Sequence, residues 1–490
     1  MSDSAAKLHD EVDHLRAMPM RRAVTIAIAS GFVGMIVVVA GLWWLAGTPS
    51  VHWGGTLSAG TVIGVLQLVF GLVVLPAGIV ALVVNYRKQR VAEAAHGLAE
   101  IAERRSQAAH RLIDQSAARD GVNHFEERFA RGAELLGHAS PAVRLAGVHW
   151  LAALADAWPD GRRRCADLLC GYARLPYDPE EGKEGRAERG VRIAILGVIS
   201  QRMYKNAAQP WHDLHINLQD ALISGTFQLN GWQVSNTVSF DGATFDKGSR
   251  LYFSEVSFGE RGELRFAESR VDGADIRIIE TDVTDQRVAF NHATVTNDGS
   301  IVFHTCSISG ELSLQGLRIE SGHLGFMCVT TAPGTQIDLS KAQINSESDA
   351  HFSFFDTNFR GATLNLQDAI LRGADLNFTW CQLAGAVVNL EEAHLAQGTR
   401  VYFPRGTLRS SDGATPPEVI FTRARLDAGS RIEVEGKDLR CRLRFSSLGF
   451  QGGQLDLSAA TFADSKTVTG LPAVLPKEVS MPPGWPGTQP

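Results

Sequence analysis

Six cysteines and one histidine pair are the residues whose types and spacing could carry chemistry. Cys165, Cys170, Cys306, Cys328, Cys381 and Cys441 include no C-x-x-C pair, so neither a zinc ribbon nor a dithiol redox motif is encoded. Cys306 and Cys381 fall where the surrounding pattern calls for a small inward side chain. A reduced thiol packing as alanine does is the expected role. His212 and His215 form H-x-x-H around Asp213, but a metal centre needs further ligands that no spacing signals. Arg162-Arg163-Arg164 is suited either to an acidic lipid or partner, or to a solvated helix start. There is no Walker loop, G-x-S-x-G elbow, H-E-x-x-H or dinucleotide fingerprint. Many Asp and Glu occupy outward positions, yet nothing pairs two of them for acid–base work. The expectation is no catalytic residue, no cofactor, no metal and no enzymatic activity.

What must position these residues is a repeat. Across 216–462 one phrase recurs about every 12 residues: two apolar residues two apart, a small residue three later, and an apolar one two beyond it. Val238, Phe240, Ala243 and Phe245 make one copy; Leu251, Phe253, Val256 and Phe258 the next; Leu364, Leu366, Ala369 and Leu371 another. About 20 copies follow one another. Spacing of i and i+2 is the side-chain period of an extended chain, not of a helix. Each phrase therefore holds two short extended faces, with Gly, Asp and polar residues at corners such as Asp241-Gly242 and Arg372-Gly373. Such faces bury a continuous interior only when stacked as a solenoid. If two phrases make one coil, there are about ten coils. Trp232, Leu317, Lys437 and Leu448 stand where a small residue is expected, which predicts local irregularity.

Apolar centres five residues apart, as in Leu366, Leu371 and Leu376, with Ala374-Asp375-Leu376 and Ala362-Thr363-Leu364, resemble the pentapeptide-repeat family. The resemblance covers about half the chain and implies a right-handed, four-sided parallel β-helix. Inserts of one to three residues after most pairs, and more after Leu408, depart from the family pattern and put the square cross-section in question. Ser140-Pro141-Ala142-Val143-Arg144-Leu145 is similar to a HEAT-type helical hairpin. The segment Glu126–Pro179 resembles the helical part of membrane-anchored pentapeptide-repeat proteins of the actinobacterial type, a bacterial group with degenerate repeats.

The 490 residues divide by composition. Residues 1–22 are polar and read as a cytoplasmic segment. Two uncharged apolar runs, 23–46 and about 60–86, are each long enough for a bilayer-spanning helix. Arg21, Arg22, Arg87, Lys88 and Arg90 flank their outer ends, and Trp43, Trp44 and Trp53 lie at the inner ones. The positive-inside rule then gives a hairpin over 23–86 in a bacterial inner membrane, multi-pass, with both termini cytoplasmic and the bilayer as one partner. Gly60 and Gly64 form a G-x-x-x-G pair. Residues 87–120 read as a juxtamembrane helix; Val91, Leu98, Ile101 and Leu112 offer a seam for a homo-oligomer. A helical domain over 121–210 would cap the first coil, with Ser140 as N-cap, Pro141 at N1, a mobile charged loop at 178–190 and a helix over 191–204. The solenoid takes 211–465, and a Pro-rich disordered tail 466–490. The fold class is thus multidomain: two transmembrane helices, a small HEAT-like α-helical domain and a C-terminal β-solenoid.

Net charge is −6, but residues 213–464 carry 32 acidic against 21 basic groups, a balance of −11. A nucleic-acid-binding surface is not indicated. The leading functional expectation is a membrane-tethered scaffold displaying the rod to a cytoplasmic protein partner. One alternative implied by the resemblance is mimicry of DNA toward a topoisomerase. A β-helix carbohydrate-active enzyme is another; it conflicts with the short inserts. Asn377-Phe378-Thr379 fits a glycosylation pattern, which a cytoplasmic solenoid would not use.

Overall fold

The computed structural model describes residues 20–45, 59–345, 351–408, 415–483 and 485. The chain divides into two compact units, Met1–Asp120 and Gly121–Pro490.

In the first unit, helix α1 spans Met20–Leu45 and helix α2 starts at Ala59 and runs unbroken to Leu136 in the second unit. The expected transmembrane hairpin is corrected here. Among the described residues, no helix is long and apolar enough to cross a membrane. The expectation rested on the length of the uncharged runs, the basic residues at their outer ends and the tryptophans at their inner ones. The helix that holds the 60–86 run continues without a stop at Tyr86 into the charged stretch that follows. A multi-pass inner-membrane location with cytoplasmic termini is withdrawn with it. The connecting segment with Trp53, and residues 1–19, lie outside the described residues. Among the described residues, a Cβ added at Gly64 would meet nothing within 4 Å. Of the proposed oligomer seam, the side chains of Val91, Leu98 and Leu112 lie outside the described residues, and Ile101 is 48% exposed.

The second unit is a parallel β-solenoid of about ten turns with helices packed on its first coil. Two walls have 11 strands and one has 10; every strand within a wall pairs parallel with the strand one coil away. At ~4.8 Å per strand the walls rise about 48 Å. The first inward ladder runs Ile216, Val238, Leu264, Val288, Leu312, Ile337, Leu364, Val388, Val419, Leu443 and Val468. The third wall stacks Phe227, Leu251, Ile276, Ile301 and Leu324 in the same way. The 12-residue phrase therefore alternates between walls one and three, and two phrases close one coil. Its small–x–apolar halves form the second wall, as at Phe245 and Val271, and a fourth side, as at Val283 and Ile308.

A four-sided coil matches the cross-section that the resemblance implies. The inserts leave their mark on the fourth side, where pairing among the described residues comprises one three-stranded piece, continued by single bridges from Thr330 to Asn358 and from Asn358 to Gln382, and two two-stranded pieces. Lys437 lies in a register shift between Gly436 and Leu439, as anticipated. Leu317 does not break the tube. It is fully buried, and the register of its wall places Ala293 and Ala342 in the coils on either side, so two small residues accommodate one large one.

Phenylalanines fill the interior in stacked runs, of which Phe421 and Phe445 form one at 5.4 Å. Phe240, Phe266 and Phe290 lie nearly parallel at 5.2 and 4.4 Å. Phe303 and Phe326 stack at 5.2 Å, and Phe354, Phe378 and Phe403 at 5.1 and 4.7 Å. Stacking is the natural outcome when equivalent inward positions recur at the coil spacing.

After the first wall, one corner residue per coil adopts left-handed backbone: Asp220, Gly242, Glu268, His292, Gly316, Lys341, Asp368, Glu392 and Arg423. Gly242 and Gly316 take it without steric cost; the others do not. Each coil offsets the strain by donating that residue's N–H to the next coil, as from Glu268 to the Asn291 carbonyl at 2.8 Å and from Asp368 to the Glu391 carbonyl at 3.0 Å.

Helices α3 (Pro141–Ala157), α4 (Arg162–Ala173) and α5 (Gly182–Met203) close the open face of the first coil. Helix α4 packs on Ile216–Asn217 and α5 on Thr226–Asn230. Trp211 is fully buried at the seam under the Arg202 guanidinium, 5.3 Å from its ring, and Arg202 is held by Asp156. Ser140 occupies the N-cap of α3, but its side chain makes no cap bond. The charged stretch expected as a loop is helical from Gly182: Glu184, Arg186, Glu188 and Arg189 favour helix, and Glu188 pairs with Arg192 one turn on at 3.0 Å.

The expected disordered tail also contributes structure. Val468–Thr469 joins the first wall and Val479–Ser480 the third, and Trp485 meets Phe462 edge-on at 5.5 Å.

Candidate functional site

The residues singled out for chemistry have structural work instead. Five of the six cysteines are buried and unpaired; Cys328 is partly exposed. Burial pushes the thiols of Cys165 and Cys306 up to about 11 and those of Cys170, Cys381 and Cys441 up to about 12. Thiolate chemistry is thereby suppressed at neutral pH.

Cys306 and Cys381 do more than imitate alanine. Cys306 Sγ donates to the Ile278 carbonyl one coil back at 3.2 Å, and Cys381 Sγ to the Phe354 carbonyl at 3.6 Å. Thr357 and Thr407 make the same bond to Phe326 and Phe378 at 3.0 and 3.2 Å. The small inward position at this corner is thus also a donor to a buried carbonyl of the preceding coil.

His212 Nε2 lies 2.9 Å from the Tyr204 carbonyl, a structural contact. Among the described residues, no group of three His, Cys, Asp or Glu is placed to hold a metal. The arginine run is engaged internally. Arg162 donates to the Pro210 carbonyl at 2.9 Å, Arg163 pairs with Asp167, and Arg164 pairs with Glu126 above the Phe125 and Phe129 rings. Asn377 caps its own turn, accepting the Thr379 N–H at 3.0 Å, while Phe378 points into the core.

What remains as a candidate site is a surface. Where the third wall turns into the fourth side, Phe355 is 51% exposed and Trp380 71% exposed. Ser353 pairs with Asn377 and the Phe354 and Phe378 rings stack, so Asp356 and Trp380 occupy the same corner on successive coils; both are left-handed. Phe355 and Trp380 are therefore diagonal neighbours one coil apart. Met327 stacks beneath Phe355 in register. Two exposed aromatics on adjacent rungs are an apolar anchor point that a folded chain does not need for its own stability. A sequence reading that sorted residues by inward spacing had no signal for it, because Phe355 and Trp380 sit at non-core positions of the phrase.

Elsewhere the outer faces are ionic ladders. Arg265 pairs with Asp241 at 2.9 Å, and Arg400 with Glu433 at 2.5 Å. Tyr252, Arg277 and Ser300 surround Asp275. Burial works against ionisation of Asp275, but bonds from Arg277 and Ser300, the Arg277 charge and the Tyr252 hydroxyl outweigh it and lower its pKa.

No family model, no curated protein and no solved structure matches this chain.

Proposed function

We propose that the chain is a non-enzymatic protein-interaction module that docks its partner at the corner formed by Phe355 and Trp380. A β-solenoid repeat fold fits such a role. The observation that carries the site is the pair of exposed aromatics on successive coils. Their backbone is fixed by coil-to-coil hydrogen bonds, including Cys328 N–H to the Phe355 carbonyl at 2.9 Å. Presenting aromatic anchors on a backbone that needs no ordering lowers the entropic cost of association.

A photo-crosslinking residue placed at Trp380 of the full chain in native cells tests it. The expected result is one protein adduct that disappears with Phe355→Ser and is absent when the crosslinker replaces Arg270 on the second wall. Adducts of equal yield at both positions, or none at Trp380, would overturn the proposal.

A further inference from the structure

The tail joins the first wall at Val468–Thr469 and the third at Val479–Ser480, one rung beyond Arg442–Arg444 and Gln454–Asp456. Residues 470–477 therefore pass over the second wall. Yet that wall ends a coil earlier, at Gly449–Gln451, with ten strands where its neighbours have 11. Phe450, the last residue of its inward ladder, is only partly buried, whereas Leu371, Leu395 and Leu426 on the same ladder are fully buried. In the earlier coils the first N–H of each second-wall strand donates to a carbonyl one coil back, from Thr244 to Ala221 through Gly449 to Ala424, at 2.8 to 2.9 Å. The next bond of that series, from Val474 to the Leu448 carbonyl, is absent among the described residues, and Val474 is 86% exposed.

Chain length is not what withholds the strand. In the first coil the crossing from Asn217 to Thr226 uses residues 218–225 and holds the second-wall strand Leu222–Ile223. The last crossing, from Thr469 to Glu478, uses the equal stretch 470–477. Laid on the first, it puts Val474 at the place of Leu222, Leu475 at that of Ile223, Pro476 at that of Ser224 and Pro472 at that of Asp220. Both prolines fall where a strand makes a demand they cannot meet. The Asp220 place is the left-handed corner, as at Ser447 one coil before, and the pyrrolidine ring holds φ near about −65°. The Ser224 place supplies an N–H to the preceding coil, as Asp246 does to the Ile223 carbonyl and Glu320 to the Val295 carbonyl, each at 2.9 Å. Pro476 has none to give the Phe450 carbonyl.

We infer that Pro472 and Pro476 make this segment a stop for the solenoid. It is a strap of rung length that spans the second wall without becoming its eleventh strand. The wall then closes on an irregular segment and presents no regular edge on which a second copy of the chain could stack. An unpaired strand edge is a template for another chain, and proline is one of the residues that blunt it.

The test is amide hydrogen exchange of the full chain, read at Val474, with sedimentation velocity beside it. The chains compared are the native one, Pro472→Gly, Pro476→Val and the double variant. In the native chain the Val474 amide should exchange freely. The double variant meets both demands of the strand, so its Val474 amide should bond the Leu448 carbonyl and slow about tenfold or more. Either single variant is still blocked by the other proline and should leave that amide fast. The double variant should also sediment as a larger species than the native chain at equal concentration. A slow Val474 amide in the native chain, or no slowing in the double variant, would overturn the inference. So would equal slowing by a single variant, or slowing without the larger species.

Discussion

Phe378 and Trp380 lie two residues apart and face opposite ways. Phe378 is fully buried, with Phe354 and Phe403 stacked at 5.1 and 4.7 Å on either side. Phe378→Ala removes a buried ring at about 3–5 kcal/mol. The rings on both sides are fixed by their own coils and cannot collapse into the gap. Two stacking contacts of about 0.5–1.5 kcal/mol each are lost with it. The expected loss is therefore at the top of that range, about 4–5 kcal/mol. Trp380→Ala removes a larger side chain from the surface and should change stability by no more than about 0.5 kcal/mol. Urea denaturation followed by tryptophan fluorescence and circular dichroism measures both, and amide hydrogen exchange locates the damage. In a stacked array, protection should fall first in the coils next to Phe378 and spread less to the distant ones. Similar losses for the two variants, or a loss under about 1 kcal/mol for Phe378→Ala, would refute the packing described here.

Other outcomes follow from the same structure. Asp356 is a left-handed, exposed corner, so Asp356→Gly should be neutral or stabilise by up to about 1 kcal/mol in thermal melts. In the native protein at mildly alkaline pH, an alkylating reagent followed by mass spectrometry should label Cys328 ahead of the five buried cysteines. Those five thiols titrate higher folded than their ordinary value of 9, at about 11 to 12. Their contribution is present below pH 9 and is lost as pH rises from about 9 toward 12, at roughly 1.4 kcal/mol per pH unit per thiol. Cys306→Thr with Cys381→Thr keeps the bond to the corner carbonyl, as Thr357 does, and should flatten that alkaline decline in melting temperature. Cys306→Val removes this bond to the Ile278 carbonyl and should cost about 0.5–1.5 kcal/mol. A supercoiling assay with the full chain should show no inhibition of gyrase, because the wall ladders alternate Arg with Asp and Glu, as at Arg265–Asp241 and Arg444–Glu418, rather than presenting one sign.

The solenoid was legible because its inward residues obey a period. Ile216, Val238 and Leu264 recur at a coil's length, and hydrophobic burial enforces that recurrence whatever the outward residues do. Corner chemistry was less legible. Asn365-Leu366-Gln367 and Asn389-Leu390-Glu391 are turns in which the Asn side chain accepts the N–H two residues on, at 3.3 and 3.1 Å. The same asparagines also bond each other across coils at 3.0 Å, a relation between residues 24 apart that no local pattern displays. The helical extent at 182–190 was hidden by composition: glycine and charge read as loop, while the Glu188–Arg192 pair and the packing of α5 decide for helix. The tail was misread for a related reason. Its prolines break regular structure, yet Val468 and Val479 still find in-register partners in Leu443 and Leu455. The spans at 23–46 and 60–86 were inferred from uncharged length with basic and tryptophan flanks, and no helix among the described residues is long and apolar enough to be one. The aromatic corner left no signature at all, since it arises from residues brought together by coiling.

The continuity of the tube is best tested by distances along one wall. Gln228, Ser353 and Asp456 lie on a single outward ladder of the third wall, separated by five and then four rungs. Spin labels placed pairwise at these positions in a Cys328→Ser background should give backbone separations of about 24, 19 and 43 Å, growing in proportion to rung number. An outer pair much closer than the sum of the inner two, or a broad distribution for it alone, would contradict a single uninterrupted stack.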